Sequence, residues 1–187
     1  NIAFANELSL ICDRLEINVW ELIELASRHP RVNILQPGPG VGGHCIAVDP
    51  WFIVDAAPDQ AQLIRTARQV NDGKPEWVIS RVMSKAERFK KPVIGCLGLA
   101  FKANIDDLRE SPALDIVRQL QVNNIGEIMA CEPNINGDFD EFPLFDFQQV
   151  LKEADILLVL VDHDEFKNVD REALKEKVVI DTRGIWR

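Results

Sequence analysis

Lys90-Lys91-Pro92-Val93-Ile94-Gly95-Cys96-Leu97-Gly98 is the stretch on which the fold turns. Two lysines and a proline break the pattern that precedes them. The next six residues are almost continuously apolar, as a strand buried on both faces requires. Downstream, Ser111-Pro112 supplies a helix N-cap followed by proline at the first helical position. Ala113, Ile116, Val117 and Leu120 then form a buried helical face. A strand is predicted over 126–131 and a short one over 143–145. Asp146 caps a helix carrying Phe147, Val150, Leu151 and Ala154. A strand over 156–161, a helix over 171–176 and a strand over 178–181 complete the pattern. Strands alternating with helices predict a parallel sheet wound by right-handed crossovers.

Upstream of Lys90 the period is helical. Phe4, Leu8, Ile11, Cys12 and Leu15 make one apolar stripe along a helix over 2–16. Asn18 caps a second helix over 19–28, with Glu21 at the capping-box position. Leu63, Ile64, Ala67 and Val70 line a third helix. Asn71-Asp72-Gly73 interrupts it, and Pro75 opens a fourth that runs to about residue 89. The fold class is therefore α/β, with a helical region over 1–90 followed by a Rossmann-like parallel-sheet domain over 91–187.

Between those helices lies Gly38-Pro-Gly-Val-Gly-Gly-His-Cys-Ile-Ala-Val-Asp49. Glycines at this density allow close backbone approach and present a thiol among free N–H groups. Gly38, Gly40 and Gly43 also satisfy G-x-G-x-x-G, which carries meaning only between a strand and a helix. Asn33 to Pro37 is too short and proline-bound for a central strand. Pro50 and the run Trp51-Phe52-Ile53-Val54 do not read as an amphipathic helix. A dinucleotide site here is set aside. A thiol presented for chemistry and a plain structural loop with a buried cysteine both remain. His44, Cys45 and Asp49 lack a fourth ligand nearby, so no metal site is assigned.

The 187 residues include 30 acidic and 21 basic side chains, a net charge of −9, which excludes a nucleic-acid backbone as partner. No apolar run approaches a membrane span. Cys12, Cys45, Cys96 and Cys131 are widely spaced and suit free thiols in a reducing, cytoplasmic setting. The chain opens on Asn1-Ile2-Ala3-Phe4 within a helix, which reads as part of a longer protein. Beyond the carboxyl ends of the predicted strands lie Phe101-Lys102, Arg109, Asp162-His163-Asp164 and Arg183. Ligands of open α/β sheets bind there. Lys102, Arg109 and Arg183 suit an anion such as a phosphate, and His163 is a further contact candidate. Alternatively they are solvated loop charges paired with nearby carboxylates.

Three motifs together resemble one family. These are Pro37 to Phe52, Gly98 to Ala113 (G-L-A-F-K-A-N-I-D-D-L-R-E-S-P-A), and the late strand ends V-D-H-D-E-F and D-T-R-G-I-W. The chain resembles the central and C-terminal parts of the UDP-glucose/GDP-mannose dehydrogenase family. The resemblance implies a central helical dimerisation region and a UDP-binding Rossmann-like domain. It also implies NAD-dependent oxidation of C6 of a nucleotide sugar from alcohol to carboxylate. The NAD would be held mainly by an N-terminal domain outside this chain, so the fragment alone should be inactive. Cys45 would be the nucleophile and Asp49 would orient or activate water. Gly42, Gly43, His44, Phe101, Lys102 and Arg183 would contact substrate. Arg31 would reach the sugar of a neighbouring subunit, and Arg109 would contact NAD. His44, Val41 and Gln36 stand where glucose-specific members carry Ser, Phe and Lys. This favours a UDP-N-acetylhexosamine, with the loop most similar to that of the mannosamine-oxidising branch. N-acetylglucosamine and glucose remain alternatives, as does a non-enzymatic nucleotide-binding dimerisation module.

Overall fold

The computed structural model describes residues 1–135 and 139–187. Five helices come first: α1 (Ile2–Arg14), α2 (Val19–Ala26), α3 (Asp49–Ala56), α4 (Gln62–Asp72) and α5 (Lys74–Ala86). The remainder runs β1 (Val93–Leu97), α6 (Pro112–Val122), β2 (Glu127–Cys131), α7 (Phe147–Glu153), β3 (Ile156–Val159), α8 (Asp164–Lys167) and β4 (Val178–Asp181). All strand pairs are parallel, in the order β2-β1-β3-β4. The α/β expectation therefore holds. The strand expected over 143–145 is a single bridge, Leu144 to Ala130. The helix expected over 171–176 is a short 3-10 turn, Arg171–Leu174.

Caps fall where side-chain chemistry puts them. Asn18 Oδ1 accepts from the N–H groups of Trp20 and Glu21, and Asp146 Oδ1 accepts from Gln148. Ser111 Oγ accepts from Leu114 N–H and donates to the Leu99 carbonyl, tying α6 to the end of β1. One face of the sheet is covered by α5 and α6, through Val78, Val82, Ile116 and Leu120 against Ile94 and Leu158. The other is covered by α7, whose Val150, with Ala154 at the helix's C-cap, packs with Leu97 and Leu157. One of the two helices on the first face, α5, thus precedes the boundary read at residue 90.

Three expectations are corrected. A helix does leave the glycine loop: α3 starts at Asp49, with Pro50 in its first turn, where its missing N–H costs nothing. No strand feeds the loop, so the dinucleotide reading still fails. Of the apolar stripe of α1, Cys12 is buried as expected, but Phe4, Ile11 and Leu15 turn away from the core. Phe4 is 54% and Leu15 60% exposed, whereas Ala5, Asn6, Ser9 and Cys12 are buried. In α4, Leu63 is 81% exposed and the buried residues are Arg68 and Asn71. Both helices turn polar groups inward, where Asn6 pairs with Asn71, Ser9 with Lys74, and Arg68 with the Ile46 carbonyl.

Candidate active site

The glycine loop is laid across the carboxyl end of the sheet. A Cβ at Gly42 would lie 2.7 Å from Phe101 Cβ and 2.8 Å from Pro112 Cδ. Gly43 adopts φ +83°, which disfavours any side chain, and a Cβ there would meet the Phe101 ring at 3.0 Å. The Gly43 N–H donates to the Arg109 carbonyl at 3.2 Å. At the loop's start, a Cβ on Gly38 would sit 2.6 Å from Arg183 Nη1. Absence of side chains at these three positions is what lets Phe101, Arg109 and Arg183 reach the loop.

Cys45 ends the loop and is exposed, while Cys12, Cys96 and Cys131 are buried. Burial pushes the Cys96 thiol up to about 12. Burial and neighbouring carboxylates do the same to Cys131. The Cys45 Sγ lies 3.0 Å from His44 Nδ1. Its carbonyl accepts from the N–H groups of Val48 and Asp49, closing the turn that starts α3. Asp49 is exposed at the head of that helix.

The cations divide. Arg183 pairs with Asp162 at 2.8 Å, and its backbone N–H donates to Asp181. Arg109 pairs with Asp107; this hydrogen bond holds the Asp107 carboxyl down at about 2. An anion reaching either arginine competes with a carboxylate. Lys102 is exposed and has no ion pair among the described residues. Arg31 is exposed in the turn after α2, its N–H donating to His29, and among the described residues it makes no hydrogen bond or ion pair with the other site residues. The structure therefore gathers Gly42, Gly43, His44, Cys45, Phe101, Arg109 and Arg183, with Asp49 and Lys102 at the margins and Arg31 apart.

His163 is corrected from ligand contact to buried support. Its Nδ1 accepts from Asn104 N–H at 2.9 Å, so Nε2 carries the proton and donates to Glu132 Oε2 at 3.1 Å. Glu132 Oε2 also accepts from the N–H groups of Leu99 and Ala100. Burial raises the Glu132 carboxyl, but these hydrogen bonds outweigh it and leave it below its ordinary value. In a dinucleotide fold an acidic residue after the second strand is free for a ribose. Here it is spent on the backbone that leads into Phe101. Among the described residues, neither the loop nor β1 supplies a complete dinucleotide cradle.

The profile of the UDP-glucose/GDP-mannose dehydrogenase family's central domain matches residues 1–73, and that of its UDP binding domain matches residues 95–187. The chain belongs to the UDP-glucose/GDP-mannose dehydrogenase family. It is 61% identical over 189 residues to the NDP-N-acetyl-D-galactosaminuronic acid dehydrogenase of Ralstonia solanacearum, covering all of this chain and 45% of that protein. It is 55% identical over 203 residues to the UDP-N-acetyl-D-mannosamine dehydrogenase of Salmonella typhi, covering all of this chain and 47% of that protein. The UDP-N-acetyl-mannosamine dehydrogenase of S. aureus superposes with a TM-score of 0.86 at 41% identity, over 98% of this chain and 44% of that one. The corresponding Pyrococcus horikoshii enzyme gives 0.86 at 36% identity, over 100% of this chain and 45% of that one. The chain spans about half the length of the relatives it matches in this family.

Sequence reasoning missed Asn6, Arg68 and Asn71. All three are buried, and hydrogen bonds link them to the two ends of the loop. A periodicity argument assigns polar residues to solvent, so it carried no signal for them.

Proposed function

We propose that the chain is the cysteine-loop and nucleotide-sugar portion of a dehydrogenase that oxidises C6 of UDP-N-acetyl-D-mannosamine to a carboxylate. The observation that carries this reading is the exposed Cys45 thiol on a glycine loop seated against Phe101, Arg109 and Arg183. The identities to named relatives support the substrate class. Phe101 offers a face to the substrate. Lys102 and Arg183 meet the diphosphate, Gly42, Gly43 and His44 line the sugar, and Arg31 serves the site of a second subunit.

In this reading the Cys45 thiol gives its proton to His44 and adds to the C6 aldehyde left by the first oxidation. Loop N–H groups stabilise the resulting oxyanion. Loss of the remaining C6 hydride makes a thioester, and water oriented by Asp49 cleaves its C–S bond, releasing the carboxylate and returning the thiol. Two NAD+ in succession, each held mainly by a domain outside this chain with Arg109 as a contact from this one, would supply the acceptor for one hydride apiece. Covalent capture keeps the aldehyde from escaping. The exposed apolar stripe of α1 (Phe4, Ile11, Leu15) is the face for a homodimer built through the helical region of residues 1–90, with the UDP domain over 91–187. Free thiols suit a cytoplasmic setting.

The test is turnover by the full-length protein with UDP-N-acetylmannosamine. Two NAD+ are consumed per sugar, and Cys45→Ser forms no acid. Normal acid formation by that variant, or no turnover by folded wild-type protein, would overturn the reading. The 61% identity to the Ralstonia relative favours a second reading, a galactosamine-configured N-acetyl sugar at the same site. The ratio of kcat/KM for the two UDP sugars decides between them.

A further inference from the structure

The glycine loop is fastened at its start by Asn6 of α1, itself held by α4, and at its end by α4 directly, two helices whose inward polar faces periodicity had assigned to solvent. At its start, Gly38 N–H donates to Asn6 Oδ1 at 2.9 Å, and Asn6 Nδ2 donates to Asn71 Oδ1 at 2.9 Å. At its end, Arg68 Nη1 donates to the carbonyl of Ile46, the residue after Cys45, at 3.3 Å. Arg68 and Asn71 lie three residues apart on α4, hence on one face, and both are buried. Arg68 Nη2 is held by Asp72, one turn along the same helix. The guanidinium is therefore fixed before it meets the loop.

We infer that Arg68 and Asn71 are positioning residues: α4 is a clamp that sets the separation of Gly38 and Ile46 and so fixes where Cys45 stands. The loop between them carries several glycines and has little stiffness of its own. Its middle is held by Gly43 on Arg109, and the stretch from His44 to Ile46 is otherwise tied within its own turn, where the Cys45 carbonyl accepts from Val48 and Asp49. Arg68 closes that stretch. It keeps Cys45 Sγ against His44 Nδ1 and delivers the Cys45 carbonyl to the N–H groups that begin α3. Neither residue touches the reacting atoms; both act through the loop. The inference rests on the reading of Cys45 as nucleophile for its kinetic consequence, but not for its geometric one.

The experiment is alkylation of the native full-length protein with iodoacetamide, followed at Cys45 by peptide mass. Cys12, Cys96 and Cys131 are buried and serve as slow internal references. Removing the clamp is expected to slow Cys45 about tenfold in Arg68→Met, because the thiol loses its fixed base. Arg68→Lys, which keeps a donor for the Ile46 carbonyl, should stay within about twofold. Asn71→Ala, at the other end, should slow Cys45 as well, so a folding failure in one variant leaves the other to decide. With substrate and NAD+, kcat should fall at least about tenfold while KM for the UDP sugar holds, as expected for misplaced reacting groups. Folded Arg68→Met and Asn71→Ala proteins that alkylate at the wild-type rate would overturn the clamp. So would faster labelling of all four cysteines together, the mark of general loosening. If wild-type protein oxidises no UDP sugar yet the alkylation pattern holds, the proposed function falls and the clamp stands.

Discussion

At the residue scale, Lys74 shows most clearly how burial changes chemistry. Its ammonium is 2% exposed, donates to Ser9 Oγ at 2.7 Å and lies 3.8 Å from the Trp77 ring centroid. Burial lowers its pKa to about 8, and the charge of Asp13 offsets only part of that. Between pH 8 and the unfolded value of 10.5 the unfolded chain holds a proton that the folded chain has released. Stability contributed by this residue therefore rises with pH across that window and is lowest below pH 8. The full change is on the order of 3 kcal/mol. Buried Cys96 and Cys131 act in the opposite sense above pH 9, because they keep protons the unfolded chain gives up. The useful quantity is thus the difference between wild type and Lys74→Met, in which the cysteines cancel. Urea unfolding at stepped pH should show wild type gaining on the variant from pH 8 upward. Parallel curves would show that Lys74 stays charged throughout.

At the scale of elements, α1 carries two faces with different partners. Asn6, Ser9 and Cys12 face α4 and α5, while Phe4, Ile11 and Leu15 stand outward. If the outward stripe pairs two subunits, a charge placed there breaks the pair and leaves the fold intact. Ile11, 47% exposed in the single chain, is the position to change. Ile11→Glu is expected to shift sedimentation of the full-length protein from dimer to monomer with an unaltered circular dichroism spectrum. Unchanged sedimentation would place the dimer interface elsewhere. The same two-faced character explains why α1 and α4 were misread. Periodicity finds an apolar stripe correctly but cannot say whether it meets this chain's core or another surface. Strands β1 and β3 pose no such question, since they are apolar on both faces and have only one place to go.

At the scale of the whole molecule, α5 joins the two halves. Val78, Ile79 and Val82 belong to the core over the sheet, and Lys74 at the same helix's start belongs to the polar network of α1. The Arg109 carbonyl adds a second tie, accepting from the Gly43 N–H of the glycine loop. Unfolding the sheet exposes α5, and losing α5 removes the support of α1. The halves are therefore expected to melt together. Tryptophan fluorescence reports on both, through Trp20 and Trp51 in the helices and Trp186 after β4. Its transition should coincide with that of far-ultraviolet circular dichroism. Two separated transitions would show that the halves are independent.

The amino-acid sequence by itself determined the parallel sheet, its helix caps, the glycine-rich loop that carries Cys45 and the family resemblance, while the exposure of that thiol came from the structure. Each rests on a local pattern: an apolar run, Ser111-Pro112, or a cluster of glycines before Cys45. It also placed Phe101, Arg109 and Arg183 at strand ends, where a parallel sheet gathers its ligands. Only the tertiary structure decided that Arg183 and Phe101 reach the glycine loop, that His163 is spent on Glu132, and that Asn6, Arg68 and Asn71 face inward. The physical reason is common to all of these. A buried polar side chain is stable only beside its partner. The partners that His163, Asn6, Asn71 and Arg68 meet across the fold lie 22 to 65 positions away along the chain, beyond the reach of any local pattern.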